Sequence, residues 1–168
     1  DGRPIFGMSA IEMCEIVLGV SEKNLVIPAH AWTPWFSVFG SMSGFDSLKE
    51  CFGELEGKIY AIETGLSSDP AMNWRLSSLD RVQLLSNSDS HSPEKIGREA
   101  NVFDFDRMAY GELYDAIRYK DKRKLLCTYE FYPEEGKYHF DGHRNCGISM
   151  APADTKKHNG ICPTCHKP

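Results

Sequence analysis

Gln83–Pro93, QLLSNSDSHSP, is the stretch on which the reading of the chain turns. A short apolar run (Val82, Leu84, Leu85) reads as a buried strand and stops at a polar cluster, Ser86 to Ser92. Asp89 and His91 lie two residues apart within that cluster. In an extended segment residues i and i+2 point to one side. A carboxylate and an imidazole presented together at a strand end suit a divalent metal. The plainer alternative is a polar loop in which Asp89 caps the next helix and His91 is solvated.

Moving outward, the same unit recurs. Leu25–Ala29, LVIPA, predicts a buried parallel strand ending at His30. Ile59–Glu63, IYAIE, predicts a second, with Glu63 at its end and a loop from Thr64 to Pro70. Ala71–Leu79 and Pro93–Ala100 read as the following helices, the second capped by Ser92 with Pro93 at its first position. Ser9–Val20 is predicted as a helix with a capping box, Ser9 and Glu12, and a buried stripe of Ile11, Cys14, Val17 and Leu18. Phe45–Phe52 reads as a short helix capped by Asp46 or Ser47. Strand, polar loop and helix in repetition indicate an α/β fold with a parallel sheet. His30, Glu63, Asp89 and His91 then fall at one end of that sheet, where α/β barrels place catalytic groups. A histidine satisfied by a backbone carbonyl is the rival reading of His30. Trp32, Trp35, Phe36 and Phe39 follow His30, and Gly40 and Gly44 make their segment a flexible loop; its rings could stack on a ligand or form core.

The tail differs. Met108–Tyr119 predicts a helix, Lys120–Lys124 a charged linker, and Leu125–Phe131 a strand that pairs with Tyr138–Phe140 across a turn. His143-Arg-Asn-Cys146 is answered by Cys162-Pro-Thr-Cys165, two ligand-x2-ligand units with 15 residues between Cys146 and Cys162. Such knuckles supply four ligands for structural zinc, with His139 or His166 as alternatives to His143. The organisation read from this is a body, 1–120, and a zinc-binding module, 121–168. Cys14, Cys51 and Cys127 stand singly and are read as buried free thiols.

Composition narrows the classes. The 168 residues are 41% hydrophobic with a net charge of −5, which gives no general support for nucleic-acid binding. The charge is uneven: 11 basic against 18 acidic side chains in 1–120, and 8 against 6 in 121–168. No apolar run is long enough to span a bilayer, so no membrane partner is expected. Single and clustered cysteines together suggest a reducing, cytoplasmic setting. Asp1-Gly2-Arg3-Pro4 reads like the middle of a loop, and a fragment of a longer protein is expected.

VIPAHAWTPWFSVFGSMSGFDSL (26–48), AIETGLSSDPAMNWRLSSLD (61–80), LLSNSDSHSPEKIGREANVF (84–103) and the HRNCG…CPTC tail together resemble the PHP (polymerase and histidinol phosphatase) metal-dependent phosphoesterases, and more closely the endonuclease Q family. The resemblance implies a distorted (β/α)7, TIM-like barrel with metals at the C-terminal ends of its strands, here only in part, followed by a small zinc-knuckle β module. It implies that His30, Asp89 and His91 ligate divalent metals (Mg, Mn or Zn), that Glu63 orients one of them, and that His143, Cys146, Cys162 and Cys165 hold the structural zinc. The family's opening His-x-His and its middle Glu and His motifs have no counterpart in the chain, so an incomplete metal cluster and an inactive fragment are expected. The implied activity is DNA repair: nicking 5′ to a deaminated base (uracil, hypoxanthine, xanthine) or an abasic site, in the cytoplasm at the nucleoid. Trp35, Phe36, Phe39 and Trp74 are candidates for the lesion pocket, with core packing an equal rival for Trp74. Lys120–Lys124, Arg144, Lys156 and Lys157 are candidates for phosphate contacts. A small-molecule phosphatase and a non-catalytic, zinc-stabilised DNA-binding module are the rival readings.

Overall fold

The computed structural model describes residues 5–168, so the loop reading of Asp1 to Pro4 lies outside the described residues. The chain runs α1 (Ala10–Val20), α2 (Leu48–Phe52), β1 (Ala61–Glu63), α3 (Pro70–Asn73), β2 (Gln83–Leu85), β3 (Ala100–Phe103), α4 (Tyr110–Arg118), β4 (Leu125–Tyr129) and α5 (Pro152–Lys157), with single 3-10 turns between them. No helix among the described residues is long and apolar enough to cross a membrane.

The capping box forms as read. The Glu12 amide donates to Ser9 Oγ at 3.2 Å and the Ser9 amide to Glu12 Oε2 at 2.7 Å. The stripe behind it is only partly covered: Cys14 is buried, Val17 and Leu18 are half-buried, and Ile11 is exposed. Ser47 caps α2 through the Glu50 amide.

The body is a mixed α/β arrangement. β1 and β2 pair in parallel, Ala61 beside Gln83 through Glu63 beside Leu85. β3 and β4 pair antiparallel, with Ala100 opposite Tyr129 and an irregularity after Val102. Asn101 joins the two sheets. Its side-chain amide accepts from the Ser86 N–H and donates to the Ser86 carbonyl, both at 2.8 Å, as a neighbouring strand would. One core cluster gathers Cys14, Leu48, Cys51, Phe52, Ile59, Ile62, Leu79, Val82 and Leu84 between α1, α2 and one sheet face. A second holds Ala61, Leu85, Ile117 and Leu125 beneath α4.

Several expectations are corrected. Leu25–Ala29 is no strand: Leu25 to Pro28 are half-buried and Ala29 is exposed. It lies beside β1, where Pro28 carbonyl accepts from the Glu63 amide at 2.9 Å, yet Pro28 has no N–H to extend a ladder. The described residues therefore contain one parallel strand pair instead of three consecutive parallel strands. Ala71–Leu79 is not one helix: α3 ends at Asn73, and Ser77–Leu79 makes a separate turn. Pro93 begins a single 3-10 turn that closes by Ile96; Gly97 at φ +77° follows, and Ala100 already belongs to β3. β4 takes β3 as its partner, and Tyr138–Phe140 is not a strand. Cys127 is exposed on the outer side of β4, whereas Cys14 and Cys51 are buried.

Candidate metal centres and nucleic-acid interface

Glu63 ends β1 at only 7% exposure. Its Oε2 accepts from the His30 backbone N–H at 2.6 Å, and the next amide, Ala31, donates to the Glu63 carbonyl at 3.0 Å. His30 is thus held at φ +31°. Gly65, at φ +64°, passes directly against it: a Cβ there would lie 2.8 Å from both His30 Cα and Cβ. The imidazole Nδ1 sits 3.1 Å from Thr33 Oγ1, and Nε2 makes no hydrogen bond among the described residues.

Asp89 and His91 meet, but not through a strand pleat. Asp89 turns at φ +42°, which brings His91 Nδ1 to 2.7 Å from the Asp89 carbonyl and 3.8 Å from Asp89 Oδ1. Both side chains are exposed, and Arg98 Nε pins the loop through the Ser88 carbonyl at 2.7 Å. Asp89 caps no helix. The structure pairs His30 with Glu63 and Asp89 with His91, and among the described residues the four do not gather into one metal-ready group.

The aromatic segment is a tight loop, which corrects its reading as flexible. Phe39, Met42, Gly44 and Phe45 amides donate back to Ala31, Pro34, Gly40 and Val38 carbonyls at 2.6–3.0 Å. Ser37 Oγ caps the Thr33 carbonyl. The glycines serve close approach: a Cβ on Gly40 would lie 2.5 Å from Thr33 O, and one on Gly44 2.2 Å from Gly40 N. Trp32 and Phe39 face inward with ring centroids 4.6 Å apart, and Trp32 Nε1 donates to the buried Asn73 Oδ1 at 2.8 Å. Phe39 is therefore committed to the core. Trp35 (51% exposed), Phe36 (79%) and Trp74 (67%) are displayed to solvent. The anchoring by Asn73 escaped sequence reasoning, since nothing local marks an asparagine that serves a partner 41 residues away.

In the tail, His143, Cys146, Cys162 and Cys165 present ligand atoms all within 4.8 Å of one another. His143 Nδ1 lies 3.1 Å from Cys165 Sγ. His139 instead packs edge-on against Phe140 at 4.7 Å, and neither it nor His166 belongs to the cluster. Gly147 follows Cys146 in the left-handed region at φ +65°. Backbone N–H groups of Cys165 and Thr164 draw the Cys162 thiol down to about 7. Hydrogen bonding with Cys165 and burial push Cys146 up to about 11. One imidazole and three sulfurs at this spacing fit tetrahedral zinc, and the set leaves no open position, as in structural sites. The basic strip is largely engaged: Lys124 pairs with Glu112, Arg123 with Asp121 and Lys157 with Asp154, while Lys120 donates to the Asp80 carbonyl.

No family model matches the chain. It is 36% identical over 165 residues to the uncharacterised protein YqxK of Bacillus subtilis, covering 95% of this chain and 41% of that one. An uncharacterised protein of Methanocaldococcus jannaschii is 33% identical over 143 residues, 81% of this chain and 17% of its own length. Among solved structures, the lesion-specific endonuclease Q of Pyrococcus furiosus superposes with a TM-score of 0.81 at 32% identity. A complex of endonuclease Q with a 27-mer duplex carrying an abasic lesion at the active site gives 0.82 at 32% identity. Both superpositions cover 99% of this chain, which spans only 40–41% of those chains. In sequence and in fold, the chain is a relative of endonuclease Q, matching about two fifths of that protein along nearly all of its own length.

Proposed function

We propose that the protein carrying this chain is a metal-dependent DNA repair endonuclease of the PHP type, acting on nucleoid DNA in the cytoplasm. It nicks the phosphodiester 5′ to a deaminated base (uracil, hypoxanthine or xanthine) or to an abasic site. The observation that carries this reading is the match of nearly the whole chain, at 32% identity, to a lesion-specific endonuclease.

The site residues supply fitting chemistry. His30 Nε2, the Asp89 carboxylate and His91 Nε2 are borderline and hard donors that suit Mg, Mn or Zn. Divalent cations held at these residues would supply a polarised water and offset charge developing at a scissile phosphate. Glu63 orients His30 by gripping its backbone N–H. Trp35, Phe36 and Trp74 offer faces on which an unstacked base or its neighbours can lie, and damaged positions are the least costly to unstack.

The test is a labelled duplex with one deoxyuridine, deoxyinosine or abasic site, incubated with Mg2+ or Mn2+. The expected product of the protein carrying this chain is a nick 5′ to the lesion that disappears in Asp89→Asn. Turnover of p-nitrophenyl phosphate without any nick would favour the phosphatase reading instead. Phe36→Ala is expected to weaken binding to lesion DNA by about 5–100-fold, the worth of one stacked base, with a smaller loss on intact duplex. Fluorescence anisotropy on both duplexes decides this, and equal losses would remove Phe36 from lesion recognition.

A further inference from the structure

Glu99 and Glu130 are carboxylates that the proposed reaction does not use. Ala100 faces Tyr129 at the end of the β3–β4 ladder, and the register continued one step past the strands sets Glu99 beside Glu130. Like charges directly opposite on antiparallel strands are destabilising. Burial makes this pair worse. Glu99 is 3% exposed, and Glu99 Oε2 and Glu130 Oε1 are both buried with no hydrogen-bond partner. The other oxygens are engaged: Glu99 Oε1 accepts from the Phe131 amide at 3.2 Å, and Glu130 Oε2 from Thr64 Oγ1 at 2.8 Å. Those two bonds leave the orphaned oxygens as the unspent pair.

The surroundings add negative charge. Burial pushes both carboxyls upward, with Glu130 and Glu63 adding to it at Glu99 and Asp69 adding to it at Glu130, where the Thr128, Thr64 and Ser86 hydroxyls act the other way. Arg98 is the cation within reach of Glu99, but its Nε is spent on the Ser88 carbonyl, and it makes no ion pair with either glutamate among the described residues. Unpaired buried carboxylates are too costly to persist without a counter-charge. One shared proton would neutralise one of the three glutamates, whereas a divalent cation neutralises two. The side-chain groups at Glu130 are oxygens, the Thr64, Thr128 and Ser86 hydroxyls, the chemistry of a hard cation.

We infer that Glu99 and Glu130 form a second cation site, distinct from the His/Cys cluster and from the Asp89–His91 loop, that takes Mg2+, Mn2+ or Ca2+ between β3 and β4. The site does not depend on the endonuclease reading. It would tie the end of β1, through Thr64, to the antiparallel β3–β4 pair.

The test uses the zinc-loaded chain with Asp89→Asn and His91→Ala, which silences the exposed loop. Mn2+ is titrated by electron paramagnetic resonance, and the melting temperature is followed with Mn2+ and Ca2+. One bound Mn2+ per chain and a saturable rise of about 5 °C or more are expected, both lost in Glu99→Gln and in Glu130→Gln. No bound Mn2+ in this background, or binding unchanged by either glutamine, would overturn the site. Glu99→Gln raising the melting temperature by itself, with no response to cations in the parent, would show that the pair shares a proton. The electron paramagnetic resonance count on the parent stands even where a glutamine variant fails to fold.

Discussion

Stripping the metal from the His143–Cys146–Cys162–Cys165 cluster is expected to unfold the tail while the body stays folded. The tail has little else to hold it. α5 buries no residue, Tyr138–Phe140 forms no ladder, and the single β-bridge joins Asp141 to Met150. Neither core cluster includes a residue beyond Leu125. Structural zinc in small modules contributes on the order of 10 kcal/mol of apparent binding energy, and that energy is folding energy. Hydrogen exchange read before and after chelation should show protection lost across 141–168 and retained in β1 and β2. Cys162→Ser should reproduce the loss, because it removes one of the four ligands, a thiol that neighbouring amides draw down to about 7. With Cys146 held up at about 11 until a metal arrives, loading at neutral pH must release protons, so zinc content should fall on acidification. Persistent protection of the tail without metal would mean that packing alone holds it.

Gly65→Ala is expected to remove activity without touching any proposed ligand. The added methyl would lie 2.8 Å from His30 Cα, and Gly65 sits at φ +64°, where a Cβ is itself strained. The left-handed backbone costs roughly 1–2 kcal/mol and the overpacking about 1–3 kcal/mol. Either the turn yields or His30 moves. His30 has little other support, since its N–H rests on Glu63 and its ring on Thr33. A displacement near 1 Å at a reacting centre costs about 100-fold in rate. Nicking should therefore fall by about that factor even in preparations that remain folded by circular dichroism. Full activity in a folded Gly65→Ala would free His30 from the role assigned to it.

What could be read in advance follows from the range of the interactions involved. The α1 capping box, the Ser47 cap and the four-ligand tail are local patterns, in which spacing fixes geometry within a turn or two. Choosing His143 over His139 needed coordinates, because several histidines fit the spacing. The β3–β4 pairing escapes the sequence because the proline-started stretch Pro93–Ala100 reads as a helix that runs into the start of β3. Its partner lies about 25 residues away across α4, and only that partner makes it a strand. Leu25–Ala29 has strand composition but carries Pro28 where a central strand needs a donor. The two-glycine aromatic segment reads as loose by composition. Its glycines exist to let backbone meet backbone, a property of the folded loop and not of the residues.

Phe36 stands at φ +56° with its ring turned to solvent, in a backbone region that a bulky residue rarely occupies. Glycine would relieve that strain, and a smaller polar residue would remove an exposed ring. A thermostability screen of this chain would therefore select against Phe36, enriching variants that melt later and, if Phe36 has the proposed role, grip damaged DNA less. Under the proposed role, robustness and recognition are set against each other at one residue, and an engineering campaign scored on heat resistance alone would discard the recognition first.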